Sequence, residues 1–110
     1  MSIVMHLYYT GTGGSARRFA EEMTAGGTVQ AIRAEDGNEQ YAYFFPMEDA
    51  ETVLLIDAWR DQKALDAHHA SPMMAQIARL RDAYDLHMRA ERCQTAEQPA
   101  PAGDAAFLRA

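Results

Sequence analysis

The sequence has little of several features that define large classes of proteins. It contains one cysteine, Cys93, which excludes an internal disulfide and a cysteine-based zinc site. No apolar run approaches the roughly 18 residues of a membrane span, and the start MSIVMHLYYT lacks the basic and apolar segments of a signal peptide. These absences predict a protein of the reducing cytoplasm with no membrane partner, and they give Cys93 no role.

Basic side chains are also scarce. Ten Lys and Arg against 16 Asp and Glu give a formal charge of −6 and a pI near 5.0. Such a chain is a poor match to a phosphate backbone, so nucleic acid is not an expected partner. The motifs GxSxG, GxxxxGK[ST] and HExxH and the EF-hand loop are all absent, which removes the usual markers of hydrolases, nucleotide enzymes and metalloproteases.

The composition that remains is that of an ordinary globular domain. Of 110 residues, 48% are hydrophobic and 24% are charged, and the length fits one domain. A chain this short buries only about 60 to 70% of its unfolded surface, which favours association with a second copy. Because the sequence after Cys93 becomes rich in Ala, Pro and Gln, we expect a domain over residues 1–93 and a tail over residues 94–110, whose apolar pair Phe107 and Leu108 docks on the partner subunit.

Hydrophobic periodicity predicts seven main elements. Helices are expected after Ser15 and after Asp61, the second one closed and restarted at Ser71-Pro72. Strands are expected over 3–10, 28–33, 41–45, 52–59 and 86–93, and the second and third of these are expected to pair as a hairpin. The order β-α-β-β-β-α-β predicts an α+β protein of ferredoxin-like kind, with helices on one face of a mainly antiparallel sheet.

A glycine-rich loop, Gly11 to Ser15, joins the first strand to the first helix. Its backbone N–H groups and the helix dipole could hold a phosphate, and the loop is similar to those of dinucleotide and flavodoxin folds. Those folds need further parallel β-α-β units, which this short chain does not offer. A plain turn is therefore the favoured interpretation, and flavin binding is a minor alternative.

Two adjacent histidines are the main chemical candidates. His68 and His69 follow Leu65 by three and four residues, so both flank the buried face of the predicted helix. Neighbouring residues on a helix point about 100° apart, so this pair predicts no metal site. Aromatic and polar side chains on the strands are expected to line a pocket with Trp59, namely His6, Tyr8, Tyr41, Tyr43 and Arg89.

The run from Leu55 to Met74, LIDAWRDQKALDAHHASPMM, resembles the signature of the antibiotic biosynthesis monooxygenase superfamily, in which a strand ending in an aromatic residue meets a helix with a histidine pair followed by Ser-Pro. The resemblance implies a ferredoxin-like α/β barrel that dimerises through its sheets. It also implies oxygenation of quinol-like or polycyclic phenolic compounds by O₂ without a cofactor. In that chemistry His68 or His69 accepts the phenolic proton or holds the oxygen atom of the carbanion, while Trp59 and the strand tyrosines shape the pocket.

Haem-degrading relatives carry a tryptophan on this helix and an iron-binding histidine about ten residues later. The matching positions are His68 and Ala78, so this chain departs from the haem-binding pattern. We therefore expect a cofactor-independent monooxygenase with no metal, acting as a homodimer on a small aromatic molecule. The alternative is a non-catalytic dimeric module that binds a small apolar ligand.

Overall fold

The computed structural model describes residues 1–95 and 101–108. The main strands and helices follow one another as β1 Ile3–Thr10, α1 Ser15–Ala25, α2 Thr28–Arg33, β2 Asn38–Phe44, β3 Thr52–Trp59, α3 Gln62–His69, α4 Met73–Ala83 and β4 His87–Gln94, with a short α5 Ala102–Ala105 in the tail. The predicted bounds of β1 and β3 are confirmed to the residue.

The four strands form one antiparallel sheet in the order β2-β3-β1-β4. The central pair is in register over its whole length, with Ile3 opposite Trp59 and Thr10 opposite Thr52. The connection from β1 to β2 passes over β3, and the connection from β3 to β4 passes over β1. Both connections contain helices. This is the arrangement of a ferredoxin-like fold, as expected from the sequence.

The segment Thr28–Arg33 corrects the predicted element order. It is a helix, α2, which begins immediately after Gly27 in the left-handed conformation (φ 84°). Val29 and Ile32 are spaced i, i+3 and both are buried, which is the spacing of one helix face. Because these residues leave the sheet, the predicted hairpin is wrong, and β2 pairs with β3 instead.

The helices pack on one face of the sheet, as predicted. Side chains of β1 and β3 at alternating positions point to this face and join the core, among them Ile3, Tyr9, Val53, Leu55 and Trp59. The helices contribute mainly small and aliphatic residues and Phe19. The opposite side of the sheet, here named the open face, carries Val4, His6, Tyr8, Leu54, Ile56 and Ala58 and has no helix over it among the described residues.

The structure describes the predicted tail, residues 94–110, in part. Positions 96–100 and 109–110 lie outside the described residues. Phe107 and Leu108 are 87% and 72% exposed. The docking of this pair on a partner stays a prediction.

Within the described residues, no helix has both the length and the apolar character needed to cross a membrane.

Candidate active site

A cavity of about 230 Å³, here named the inner cavity, lies between the helix-covered face of the sheet and helices α3 and α4. Most of its lining is apolar, and three methionines contribute flexible side chains to it. The lining residues are Met5, Leu7, Tyr9, Tyr41, Asp57, His68, His69, Met74, Ile77, Arg81, Met88 and Ala90. A small number of polar groups converging on an apolar cavity is the usual composition of a small-molecule site.

His68 is the most firmly held polar group of the inner cavity. Its side chain is 3% exposed, and its Nδ1 lies 2.8 Å from Oε2 of Glu35, in the connection between α2 and β2. A carboxylate can only accept a hydrogen bond, so Nδ1 donates to Glu35. In the tautomer that matches this contact, Nε2 carries the lone pair and is the nitrogen available to a ligand in the cavity.

The face of the imidazole is also supported. The His68 ring stacks on the indole of Trp59, with centroids 4.6 Å apart and planes inclined by 27°. Trp59 donates its Nε1–H to Oδ1 of Asp57 at 2.6 Å. Contacts with Glu35 and Trp59, which lie on different elements, therefore fix both the position and the orientation of the His68 ring.

Asp57 places a carboxyl group on the lining of the inner cavity. The residue is 4% exposed, and burial raises the pKa of this carboxyl, partly offset by the nearby His68 and by the hydrogen bond from Trp59. The direction is that of a buried acid that resists ionisation. Asp57 therefore adds less negative charge to the cavity than an exposed aspartate would.

Two tyrosine hydroxyls also belong to the lining. Burial raises the pKa of Tyr9 to about 12, and burial together with the neighbouring Tyr43 raises the pKa of Tyr41 far above its ordinary value. Both phenols therefore stay protonated at neutral pH. They can donate a hydrogen bond to an oxygen atom in the cavity, but they cannot act there as bases.

The structure separates the sequence-predicted site residues into groups. His68 and His69 both line the inner cavity, with His69 exposed at its open side and its ring 5.8 Å from that of His68. Trp59 lies behind His68 and does not form part of the lining. Tyr43 faces a separate surface groove between α1, α2 and β2.

His6 and Tyr8 do not join the inner cavity, which corrects the expected pocket. Side chains alternate along a strand, so these two residues share the open face with Ile56, across the sheet from Trp59. There Arg89 lies over the Tyr8 ring at 4.0 Å from its centroid, and His6 is 4.0 Å from Glu91. Of the five strand residues expected beside Trp59, only Tyr41 lines the cavity.

The glycine-rich loop has its anion position filled by the chain itself. The Gly14 N–H faces both carboxylate oxygens of Glu51, at 3.2 and 3.3 Å, and the Gly11 N–H donates to the Glu51 carbonyl at 2.9 Å. An acidic side chain thus occupies the place that a phosphate would take at the start of α1. Over residues 1–95 and 101–108, no group of three or more His, Cys, Asp or Glu side chains is arranged to hold a metal ion.

Three residues of the site escape the sequence analysis. Asp57 carries the one available signal, because it is a lone charged residue within the apolar strand TVLLIDAW. Glu35 meets His68 across 33 residues of sequence, which no local pattern shows. Arg81 is one of several charged residues on α4 with no distinguishing sequence signal, yet it is half-buried and lines the inner cavity.

Comparison with known proteins agrees with this architecture. Residues 2–80 match the family model "Antibiotic biosynthesis monooxygenase". The chain belongs to this family. The family match runs from β1 into α4 and includes every residue that lines the inner cavity except Arg81, Met88 and Ala90.

One curated protein and several solved structures are also similar to this chain. A 41-residue stretch is 37% identical to "Putative monooxygenase YcnE" of Bacillus subtilis (strain 168) and spans 37% of this chain and 43% of that protein. The structure of a "putative antibiotic biosynthesis monooxygenase" from Deinococcus radiodurans superposes with a TM-score of 0.77 at 18% identity, covering 92% and 99% of the two chains. SnoaB of Streptomyces nogalater, a cofactor-independent oxygenase, superposes with a TM-score of 0.72 at 17% identity, covering 91% and 97%. At these identities, the two structures show a shared fold.

Proposed function

We propose that the inner cavity is the active site of a cofactor-independent monooxygenase that oxidises a small quinol-like phenol with O₂. The observation that carries this proposal is His68, whose Nδ1 is engaged by Glu35 and whose Nε2 is left for a ligand in an otherwise mostly apolar cavity. Membership in a monooxygenase family and the cofactor-independent oxygenase among its structural neighbours support it.

The proposed reaction begins with proton removal. Nε2 of His68 takes the proton of a phenolic hydroxyl, which makes the aromatic ring electron-rich enough to reduce O₂. One oxygen atom forms a new bond to ring carbon, and the O–O bond breaks. The second oxygen atom leaves as water with two hydrogens from the substrate, one of them returned through His68. A naphthol and O₂ then give a naphthoquinone and water, with atoms and electrons balanced.

The other polar lining residues assist this step by hydrogen bonding. The Tyr9 and Tyr41 hydroxyls, held protonated by burial, are donors that can stabilise the phenolate or the reduced oxygen. Apolar side chains such as Leu7 and Ile77 keep water from the reacting atoms and so strengthen these interactions. His69, which is exposed, is placed to contact the part of the substrate that lies nearest to solvent.

The size of the cavity narrows the substrate class. Its volume of about 230 Å³ is below the roughly 300 to 1,000 Å³ of pockets for drug-sized ligands. A phenol with one or two rings fits this volume better than a polycyclic one. We therefore favour naphthol- or naphthoquinol-like compounds over three- and four-ring substrates.

The open face supports a homodimer as part of the same proposal. Leu54, Ile56 and Val4 form an apolar strip on it that no described segment covers. Burying such a strip against its copy removes apolar surface from water, at about 25 cal/mol per Å². We propose the cytoplasm as the location, where the exposed thiol of Cys93 stays reduced.

The tail extends the dimer proposal. Phe107 and Leu108 are large, exposed and apolar, and their burial on the partner subunit would remove that surface from water. Deleting residues 99–110 is then expected to weaken the dimer. Unchanged dimer dissociation in sedimentation experiments would refute a docking role.

Oxygen consumption by metal-free protein tests the proposed function. We expect uptake of O₂ with reduced naphthoquinols at a rate well above their spontaneous oxidation, and slower uptake with three-ring anthrones. Binding of the same compounds without uptake would support the alternative of a non-catalytic ligand-binding module. If the protein showed no oxygen uptake with these compounds and did not bind them, a quinol-like substrate would be refuted.

A further inference from the structure

The inner cavity is lined by an arginine although the protein as a whole is acidic. The chain carries a net charge of −6, yet the lining of the cavity includes Arg81 from the last turn of α4 and His69 from α3. Asp57, the one carboxyl on the lining, is buried, and burial favours its neutral form. Arg81, which stays charged at any ordinary pH, therefore gives the lining a positive group in a chain of negative net charge.

Arg81 has no acidic partner to balance it. In residues 1–95 and 101–108 it forms no ion pair and no side-chain hydrogen bond, and its charge acts on the hydroxyl of Tyr9. By contrast, the side chain of Arg60 is 54% exposed to water and still pairs with both Asp36 and Asp61. A half-buried guanidinium beside an apolar cavity keeps its charge and its hydrogen-bond donors available to a ligand.

We propose that Arg81 binds a carboxylate on the substrate, so that the inner cavity selects anionic phenols of one or two rings, such as hydroxynaphthoates, over their neutral parents. This inference rests on the proposed function for the identity of the ring and hydroxyl. A planar guanidinium matches a carboxylate with two parallel hydrogen bonds. The anionic group then lies beside Arg81, while the ring occupies the apolar part of the cavity.

Binding of a matched pair of ligands tests this inference without requiring turnover. The pair is 1-hydroxy-2-naphthoate and 1-naphthol, which differ by one carboxylate, measured by isothermal titration calorimetry. We expect the parent protein to bind the carboxylated compound at least tenfold more tightly. In Arg81→Gln this preference should fall to about one, because the loss of affinity falls mainly on 1-hydroxy-2-naphthoate. Arg81→Lys should keep an intermediate preference, because its charge remains without the planar fork.

Arg79→Gln is the matched control. Arg79 lies on the same helix, is exposed and does not line the inner cavity, so this variant removes the same charge elsewhere and should keep the full preference. Equal binding of the two compounds by the parent, no binding of the carboxylated one, or an unchanged preference in Arg81→Gln would overturn the inference. A preserved preference with no oxygen uptake would instead count against the proposed monooxygenase activity alone.

Discussion

The imidazole of His68 lies against the indole of Trp59, with ring centroids 4.6 Å apart. Trp59 is fully buried and lies off the cavity lining, so it supports the histidine instead of contacting a ligand. With Glu35 at the ring edge and Asp57 holding the indole N–H, four side chains from three parts of the chain form one hydrogen-bonded and stacked unit. Within the inner cavity this unit presents Nε2 of His68 and the carboxyl group of Asp57.

The two histidines should differ in their contribution to turnover. His68→Gln removes the proposed base while keeping a similar size, so kcat should fall by about 100-fold or more, the usual range for a general base. His69→Gln should lower kcat/KM less than tenfold, because His69 is exposed at the cavity entrance. Steady-state oxygen uptake checks both, with circular dichroism to show that each variant is folded. Equal rates for His68→Gln and the parent would rule out this role.

Glu35 should act as a positioning residue for His68. In Glu35→Leu the acceptor for Nδ1–H is lost, so the neutral ring should become a mixture of tautomers, and kcat should drop about tenfold. Glu35→Gln keeps an acceptor oxygen and should restore part of the Nδ1–H form. Nitrogen-15 NMR of the His68 ring measures the tautomer directly.

The neighbouring acid provides the control for Glu35. Asp36 is exposed and pairs with Arg60, so Asp36→Leu should leave the His68 tautomer unchanged. If Glu35→Leu and Asp36→Leu gave the same NMR spectrum for His68, the contact with Glu35 would have no positioning role.

The raised pKa of Asp57 predicts a pH-dependent effect on stability. The folded state holds this proton more tightly than the unfolded state, whose aspartate has a pKa of about 3.9. The stabilisation that this proton gives to the folded state is complete below the unfolded pKa and is lost as pH rises through the folded pKa. Asp57→Asn keeps an acceptor oxygen for the Trp59 N–H but has no carboxyl group to ionise, so its stability should not decrease in this way.

Urea unfolding at pH 4 and pH 7 measures the effect. The stability of Asp57→Asn relative to the parent should increase between these two pH values, by about 1.4 kcal/mol for each unit by which the folded pKa exceeds the unfolded one. A relative stability that stayed constant or decreased would mean that burial of Asp57 does not oppose its ionisation.

The open face should carry the dimer contact. Ile56→Asp places a charge in the centre of its apolar strip and should convert the dimer to a monomer at micromolar concentration, as judged by light scattering after gel filtration. Met47 is 96% exposed in the connection between β2 and β3, so Met47→Asp makes the same kind of change off the sheet and should leave the dimer intact. A parent protein that is already monomeric would contradict the proposed assembly.

Elements with strong periodicity were predictable from sequence, and ambiguous ones were not. Ile3–Thr10 alternates over eight residues, which only a strand explains, and Asp61 caps α3 by accepting the Ala64 N–H at 2.9 Å, as its position indicates. Thr28–Arg33 is six residues long and fits either period. Its packing of Val29 and Ile32 into the core decides the outcome, and packing is a tertiary effect.

The site was predictable only where one element carries it. The histidine pair and its place beside the core follow from the sequence of α3, and His68 is indeed buried. Which strand face meets the helices does not follow from alternation, because both faces of β1 carry apolar and aromatic residues. His6 and Tyr8 were therefore grouped with Trp59, although the sheet separates them. The pairing of Glu35 with His68 depends on α2, the element whose prediction was wrong.

Isotope labelling tests the central claim most directly. Metal-free protein is mixed with a two-ring naphthoquinol under ¹⁸O₂. The ¹⁸O content of the product and of water is measured by mass spectrometry, and the hydrogen peroxide formed is quantified. We expect one ¹⁸O atom in each product molecule and the other in water, and His68→Gln should form this labelled product at a rate lower by about 100-fold or more. Product without ¹⁸O, with one hydrogen peroxide formed per substrate, would show an oxidase instead and would contradict the proposed oxygen insertion.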